Sequence, residues 1–83
     1  MLSIMVIPLN KIETGRKARV VWIASEEAMA VRLKDLGFTP EEEVSCVLEG
    51  KKDGMRAYLV RNAVIGIRNS NAGEIFVRPV EEC

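Results

Sequence analysis

Cys46 and Cys83 are the only thiols in the chain and there is no histidine, so the side chains that most often ligate metals or move protons near neutral pH are almost missing. A metal site needs ligands that converge. Cys46 stands alone on an alternating segment, and Cys83 follows Glu81 and Glu82 in what reads as a solvated, frayed tail. The plainer reading of Cys46 is a small core residue. Two isolated cysteines also fall short of the disulfide framework of small secreted domains, which points to a reducing, cytoplasmic setting.

Nucleophilic catalysis by a hydroxyl or thiol needs a base and an orienting group, and without histidine only lysine-based arrangements remain, which nothing in the chain spaces. The stretch Gly50-Lys51-Lys52-Asp53-Gly54 lacks both the residue order of a P-loop and a following helix, so it reads as a hairpin tip. Trp22, Phe38, Tyr58 and Phe76 are too few to build a stacking platform for single strands. Twelve Lys and Arg balance twelve Asp and Glu, which leaves no long-range field to draw in phosphate backbones or anionic lipids. The chain therefore reads as a binding module that is not an enzyme and does not take nucleic acid.

Phe38 is the residue most suggestive of binding. It lies between Gly37 and Pro40, so a large apolar ring is set on a stiff, sharply turned backbone just past a helix. Such a ring either plugs the mouth of the fold or anchors a partner, and its burial decides between the two.

These residues need elements to place them. The 83 residues, 48% of them hydrophobic, suit one domain over 1–83 with a thin core and no linker or repeat. Leu2 to Ile7 is an apolar run closed by Pro8, as at the end of an edge strand. Met1 to Leu9 has no basic n-region and is too short to span a bilayer, so neither a signal peptide nor membrane insertion is expected. After the turn at Glu13-Thr14-Gly15, Arg16 to Ala24 reads as a strand with Ala18, Val20 and Trp22 on one face and Arg19, Val21 and Ile23 on the other.

Ser25 as N-cap, Glu26 and Glu27 in the first turn, and Met29, Leu33 and Leu36 at helical spacing predict an amphipathic helix over about residues 26–36. Its apolar stripe is read mainly as core, a partner-facing stripe being the alternative. Gly37 and Pro40 stop it. Val44, Cys46 and Leu48 then alternate against Ser45, Val47 and Glu49, and Met55 to Val60 returns as a hairpin. A weaker turn at Asn62-Ala63 leads into Val64 to Arg68, and the polar run Asn69 to Gly73 into Glu74 to Arg78. Five to six short strands and one inserted helix predict a mainly β fold, a small β-barrel whose closure removes exposed edges.

The run Arg32-Leu33-Lys34-Asp35-Leu36-Gly37-Phe38-Thr39-Pro40 resembles the signature of the FeoA family of small cytoplasmic proteins associated with ferrous iron uptake. Leu9 through Gly15 is similar to the family's opening leucine and glycine, and Val20-Val21 with Ile23 to its first strand. Ile65-Gly66-Ile67-Arg68, followed by Ala72 and Ile75-Phe76-Val77, is similar to its closing pattern. The chain departs from the pattern at Glu41, where the family usually has glycine after the proline, and in its longer apolar start from Met1 to Ile7.

This resemblance implies an SH3-like barrel that docks on FeoB, a membrane ferrous iron transporter with a cytoplasmic GTPase domain. The contact residues expected on that reading are Arg32, Asp35, Phe38 and Thr39 at the helix end and loop. The alternative it implies is a metal-responsive or regulatory domain related to the SH3-like domain of iron-dependent repressors, with weak binding of ferrous iron or zinc. No cofactor is firmly implied, and self-association through the apolar first strand stays open. A third reading is an SH3-like module for peptides or nucleic acid, which would bind without transporter or iron, the balanced charge arguing against the nucleic-acid half.

Overall fold

The computed structural model describes residues 5–50 and 54–80. Its elements are β1 (Ile7–Pro8), a 3-10 turn (Leu9–Lys11), β2 (Lys17–Ile23), α1 (Glu27–Asp35), β3 (Glu43–Glu49), β4 (Met55–Val60), β5 (Ala63–Arg68), a one-turn helix α2 (Asn69–Ala72) and β6 (Ile75–Pro79). Of the first expected strand, Ile7 and Pro8 are extended and paired, whereas Leu2 to Ile4 lie outside the described residues, as do the hairpin tip Lys51 to Asp53 and the Glu81, Glu82, Cys83 tail.

The six strands form one antiparallel sheet in the order β1-β6-β2-β3-β4-β5. The fold is mainly β with a short inserted helix, as the sequence predicts, but among the described residues hydrogen bonds do not close the sheet into a barrel. Among the described residues β1 and β5 are its two edges. β1 is only two residues long and ends in Pro8, which has no N–H to give a further neighbour.

Two bulges reset the alternation that the sequence suggests. In β2, Val20 pairs with Val77 while Trp22 pairs with Phe76, so Val21 is an extra residue. Ala18 and Val20 are buried as expected, but beyond the bulge the faces exchange: Trp22 turns outward at 60% exposure and Ile23 packs on the core. Trp22 does not share the inner face with Val20. It stacks on Phe76 outside, with ring centroids 5.6 Å apart.

In β3, Cys46 pairs with Tyr58 and Leu48 with Ala57, which makes Val47 the extra residue. Val44 and Cys46 are buried, but Leu48 is 61% exposed instead of continuing their row. Glu49 then pairs with Arg56, and paired residues share a face. A carboxylate and a guanidinium are thereby brought to the end of the face that carries Tyr58.

β4 and β5 are joined by Arg61 and Asn62, both at positive φ (51° and 65°), the signature of a two-residue type I′ hairpin turn centred one residue earlier than Asn62-Ala63. The core packed inside the curved sheet includes Leu9, Val20, Leu33, Phe38, Tyr58, Ile75 and Val77. No described helix is long and apolar enough to cross a membrane.

Candidate functional site

The N-cap of α1 is Glu26, whose side chain makes no capping bond. The Ser25 hydroxyl, expected to cap it, instead donates to Glu74 Oε1 at 2.7 Å and ties the helix start to the turn before β6. The far end is built more firmly. Phe38 N–H donates to Leu33 O and Gly37 N–H to Lys34 O, both at 3.0 Å, the paired bonds of a Schellman motif. Gly37 stands at φ +117°, and a Cβ there would meet Val60 Cγ1 at 2.7 Å, so both backbone angle and space demand glycine.

The motif turns the chain back so sharply that Phe38 enters the core. Its ring is 0% exposed and meets Tyr58 edge to face at 6.3 Å. This corrects Phe38 as a contact residue: the Schellman turn bonds its N–H back to Leu33 and carries the ring into the same buried cluster as Leu33, where it plugs the fold. Arg32 and Asp35 are exposed on α1. Thr39 is half-buried, and its Oγ1 accepts from Arg61 Nη2 at 3.3 Å while Arg61 Nε also reaches Glu42 Oε1. Thus Arg32 and Asp35 share the helix end, Thr39 lies across the loop, and Phe38 is beneath them.

Leu36 also departs from expectation. Leu33 is buried and Met29, one turn earlier, packs against the core, but Leu36, the C-cap residue at the far end of the same stripe, is 43% exposed. It rims a cleft of about 290 Å³ between α1 and the end of the sheet. Leu33 and Ile67 form the inner wall of this cleft, Met29, Leu36 and Met55 its apolar sides, and Arg32 and Arg68 its charges. Sequence reasoning found Arg32 but missed Arg68, Met55 and Gly66 as surface features. The signal available was the segment Ile65-Gly66-Ile67-Arg68, where glycine removes a side chain between two apolar residues and an arginine follows.

After Pro40, Glu41 adopts φ 73°, the left-handed conformation that glycine takes at little cost. Glu41 N–H donates to Val20 O at 2.8 Å, and Arg19 Nη1 donates to Glu41 O at 3.2 Å. The turn is held from both sides although its residue is not glycine.

At the opposite end, Arg56 Nε donates to the Tyr58 hydroxyl at 2.7 Å and Nη2 to Ile12 O at 3.0 Å. Burial opposes the Arg56 charge, but the Tyr58 hydrogen bond and the neighbouring Tyr58 and Cys46 outweigh it and hold the guanidinium pKa above its ordinary value. Burial, partly offset by Arg56, raises that of Tyr58. Glu49 Oε2 accepts from the Thr14 N–H at 2.6 Å and hydroxyl at 3.0 Å, and these two bonds, the backbone one first, hold its carboxyl below the usual range.

Cys46 is buried in this cluster with Arg56 Nη2 3.8 Å from its sulfur, so a cation seeking the thiolate would meet a fixed positive charge. Among the described residues no three Cys, Asp or Glu side chains gather as a metal site would need. What the surface offers is the helix end, the loop after it, and the apolar cleft flanked by two arginines.

Residues 7–79 match the model of the FeoA domain. A crystal structure of an iron uptake regulatory protein, FeoA, is similar to the chain at TM-score 0.80 and 28% identity, covering 92% of this chain and 99% of that one. The zinc complex of FeoA from Stenotrophomonas maltophilia, described as a prokaryotic SH3 domain protein, is similar at TM-score 0.74 and 27% identity over 88% of both chains. A manganese-dependent transcriptional repressor shares the fold alone, with TM-score 0.80 and 15% identity over 96% of this chain and 45% of that one. No curated protein sequence matches the chain.

Proposed function

Because the chain belongs to the FeoA family, whose domain model spans residues 7–79, and so has a role in ferrous iron transport, we propose that it is a non-enzymatic accessory protein that docks on a FeoB-type transporter. In this reading it works in the cytoplasm on the GTPase-bearing part of that membrane protein. The family match carries the reading. Exposed Arg32 and Asp35 and half-buried Thr39 form its contact surface, with Phe38 as the buried plug that fixes the loop above it.

A domain of this size presents an interface near or below the roughly 800 Å² per partner of a standard complex, so the contact is transient, with affinity in the micromolar range. Titrating the chain against the intracellular part of the transporter, in its GTP and GDP states, tests the proposal. Saturable binding in at least one state is expected, and none in either would overturn it.

The zinc complex of the Stenotrophomonas maltophilia protein favours a second reading, a metal-responsive domain that binds ferrous iron or zinc weakly. Calorimetry of the reduced chain with each ion separates the two. Heat above the buffer blank, with a stoichiometry near one, supports the second reading; heat equal to the blank removes it.

A further inference from the structure

The cleft between α1 and β5 has a geometry that a general account of docking leaves unused. Gly66 and Arg68 face one side of β5 and Ile67 the other, yet all three line the cleft. A cleft touched by both faces of a strand runs along its edge. Among the described residues β5 is the last strand of the sheet and pairs only with β4.

The direction of its hydrogen bonds follows from the pairing. The two-residue turn makes Val60 and Ala63 a hydrogen-bonded pair, and alternation extends this to Tyr58 with Ile65 and Arg56 with Ile67. The bond from Asn69 N–H to Gly54 O, at 2.9 Å, keeps the same phase one step further. The N–H and C=O of Val64 and Gly66 and the N–H of Arg68 therefore point away from β4, toward the free edge, while the Arg68 C=O, as that of the N-cap residue, accepts the first bond of α2. Gly66 has no side chain to block approach, and Met55 Cε lies 3.6 Å from where its Cβ would be.

Charge supplies the occupant's chemistry. Arg19, Arg56, Arg61 and Arg78 are all engaged by protein groups. Arg32 and Arg68 have no side-chain partner among the described residues, and no carboxylate lines the cleft they flank. A bare phosphate or lipid headgroup would match the arginines but leave Leu33, Ile67, Leu36 and Met55, and the strand edge, without counterparts. An extended peptide with acidic and apolar side chains matches all three.

We propose that the cleft between α1 and β5 takes an extended acidic and apolar segment of the partner protein, which pairs with β5 as a further strand. Its apolar side chains lie against Leu33 and Ile67, and its carboxylates face Arg32 and Arg68. The inference rests on the docking reading only in assigning that segment to the transporter. A cleft of about 290 Å³ is at the lower limit of small-molecule pockets and suits successive side chains of a strand laid along it.

The test uses the full chain and two capped decapeptides, one alternating leucine with glutamate and one alternating leucine with lysine. The glutamate peptide is expected to bind in the micromolar range, with amide shifts changing at 64–68 and 29–36. The double variant Arg32→Glu, Arg68→Glu is expected to weaken it at least tenfold, and Arg32→Gln, Arg68→Gln by an intermediate factor, with unchanged circular dichroism because both side chains are exposed. Equal binding of the lysine peptide, affinity indifferent to charge reversal, or amide changes away from the cleft would each overturn the proposal. So would arginine-dependent binding to phosphatidylglycerol vesicles without binding of the glutamate peptide.

Repeating the titration with the intracellular part of the transporter separates the two readings. Transporter binding that survives charge reversal unchanged overturns the cleft and leaves docking standing. Capture of the glutamate peptide without transporter binding removes docking and supports the cleft's ligand class.

Discussion

The rings of Phe38 and Tyr58 meet edge to face with centroids 6.3 Å apart, and neither ring is exposed. An aromatic residue just outside a helix is thus one half of the central contact of the core. Replacing Phe38 by alanine is expected to cost about 3–5 kcal/mol, a large share of the roughly 5–15 kcal/mol available to a domain. Urea unfolding checks this. A Phe38→Ala chain of unchanged stability with weakened partner binding would restore the ring as an anchor.

Gly37→Ala tests the helix stop. The substitution strains a backbone at φ +117° and drives a methyl to 2.7 Å from Val60 Cγ1. A loss of at least about 2 kcal/mol is expected by thermal or urea denaturation, because Val60 is itself buried and has little room to yield.

Glu41→Gly runs the other way. It relieves a left-handed non-glycine residue (φ 73°) and gives up only an exposed ion pair, 3.9 Å long, to Arg78. A gain of about 0.5–1 kcal/mol is expected. The main-chain bonds to Val20 and from Arg19 need no side chain at this position, so they survive the change.

The Thr14–Glu49 clamp gives a pH signature. Because the folded carboxyl lies below its ordinary value, held there first by the Thr14 N–H and then by its hydroxyl, the clamp stabilises the fold fully above the unfolded carboxylate pKa of about 4.3. That contribution disappears as pH falls through the lower, folded pKa. Glu49→Gln should lower the melting temperature at pH 7, and the difference should close as the solution is acidified below about pH 4.

Trp22 supplies an optical check on the β2 bulge. At 60% exposure, stacked on Phe76, it should emit as a water-exposed indole and be quenched readily by acrylamide in the folded state. Trp22→Ser should cost about 1 kcal/mol or less. A blue-shifted, protected emission would place the ring inside and contradict the bulge.

Much of this architecture was legible in the residues. The strand from Arg16, the helix stopped at Gly37, and the hairpin from Glu43 to Val60 each follow from periodicity and turn chemistry. What period-two alternation cannot show is an extra residue: Val21 and Val47 each shift the rows beyond them, so Trp22 and Leu48 emerge outside and Ile23 inside. The helix surface was half legible, since Arg32 and Asp35 are exposed as expected while Phe38 follows its Schellman turn inward. Arg68 and Gly66 could not be placed at the cleft beside α1, because membership of a sheet edge depends on pairings that no single strand records.

The strand order also separates the sheet by how it must assemble. β3, β4 and β5 pair with their sequence neighbours, whereas β6 reaches back to sit between β1 and β2, setting Pro79 against Ala18. The local three-stranded portion can form before the loop-closure entropy of the distant pairing is met. β6 is therefore the closing stitch of the folding pathway: truncating Val77 should chiefly hasten unfolding, whereas truncating Val60 should slow folding. The same late stitch carries Phe76 under Trp22, so tryptophan fluorescence followed in a stopped-flow instrument watches the last event of folding rather than the first.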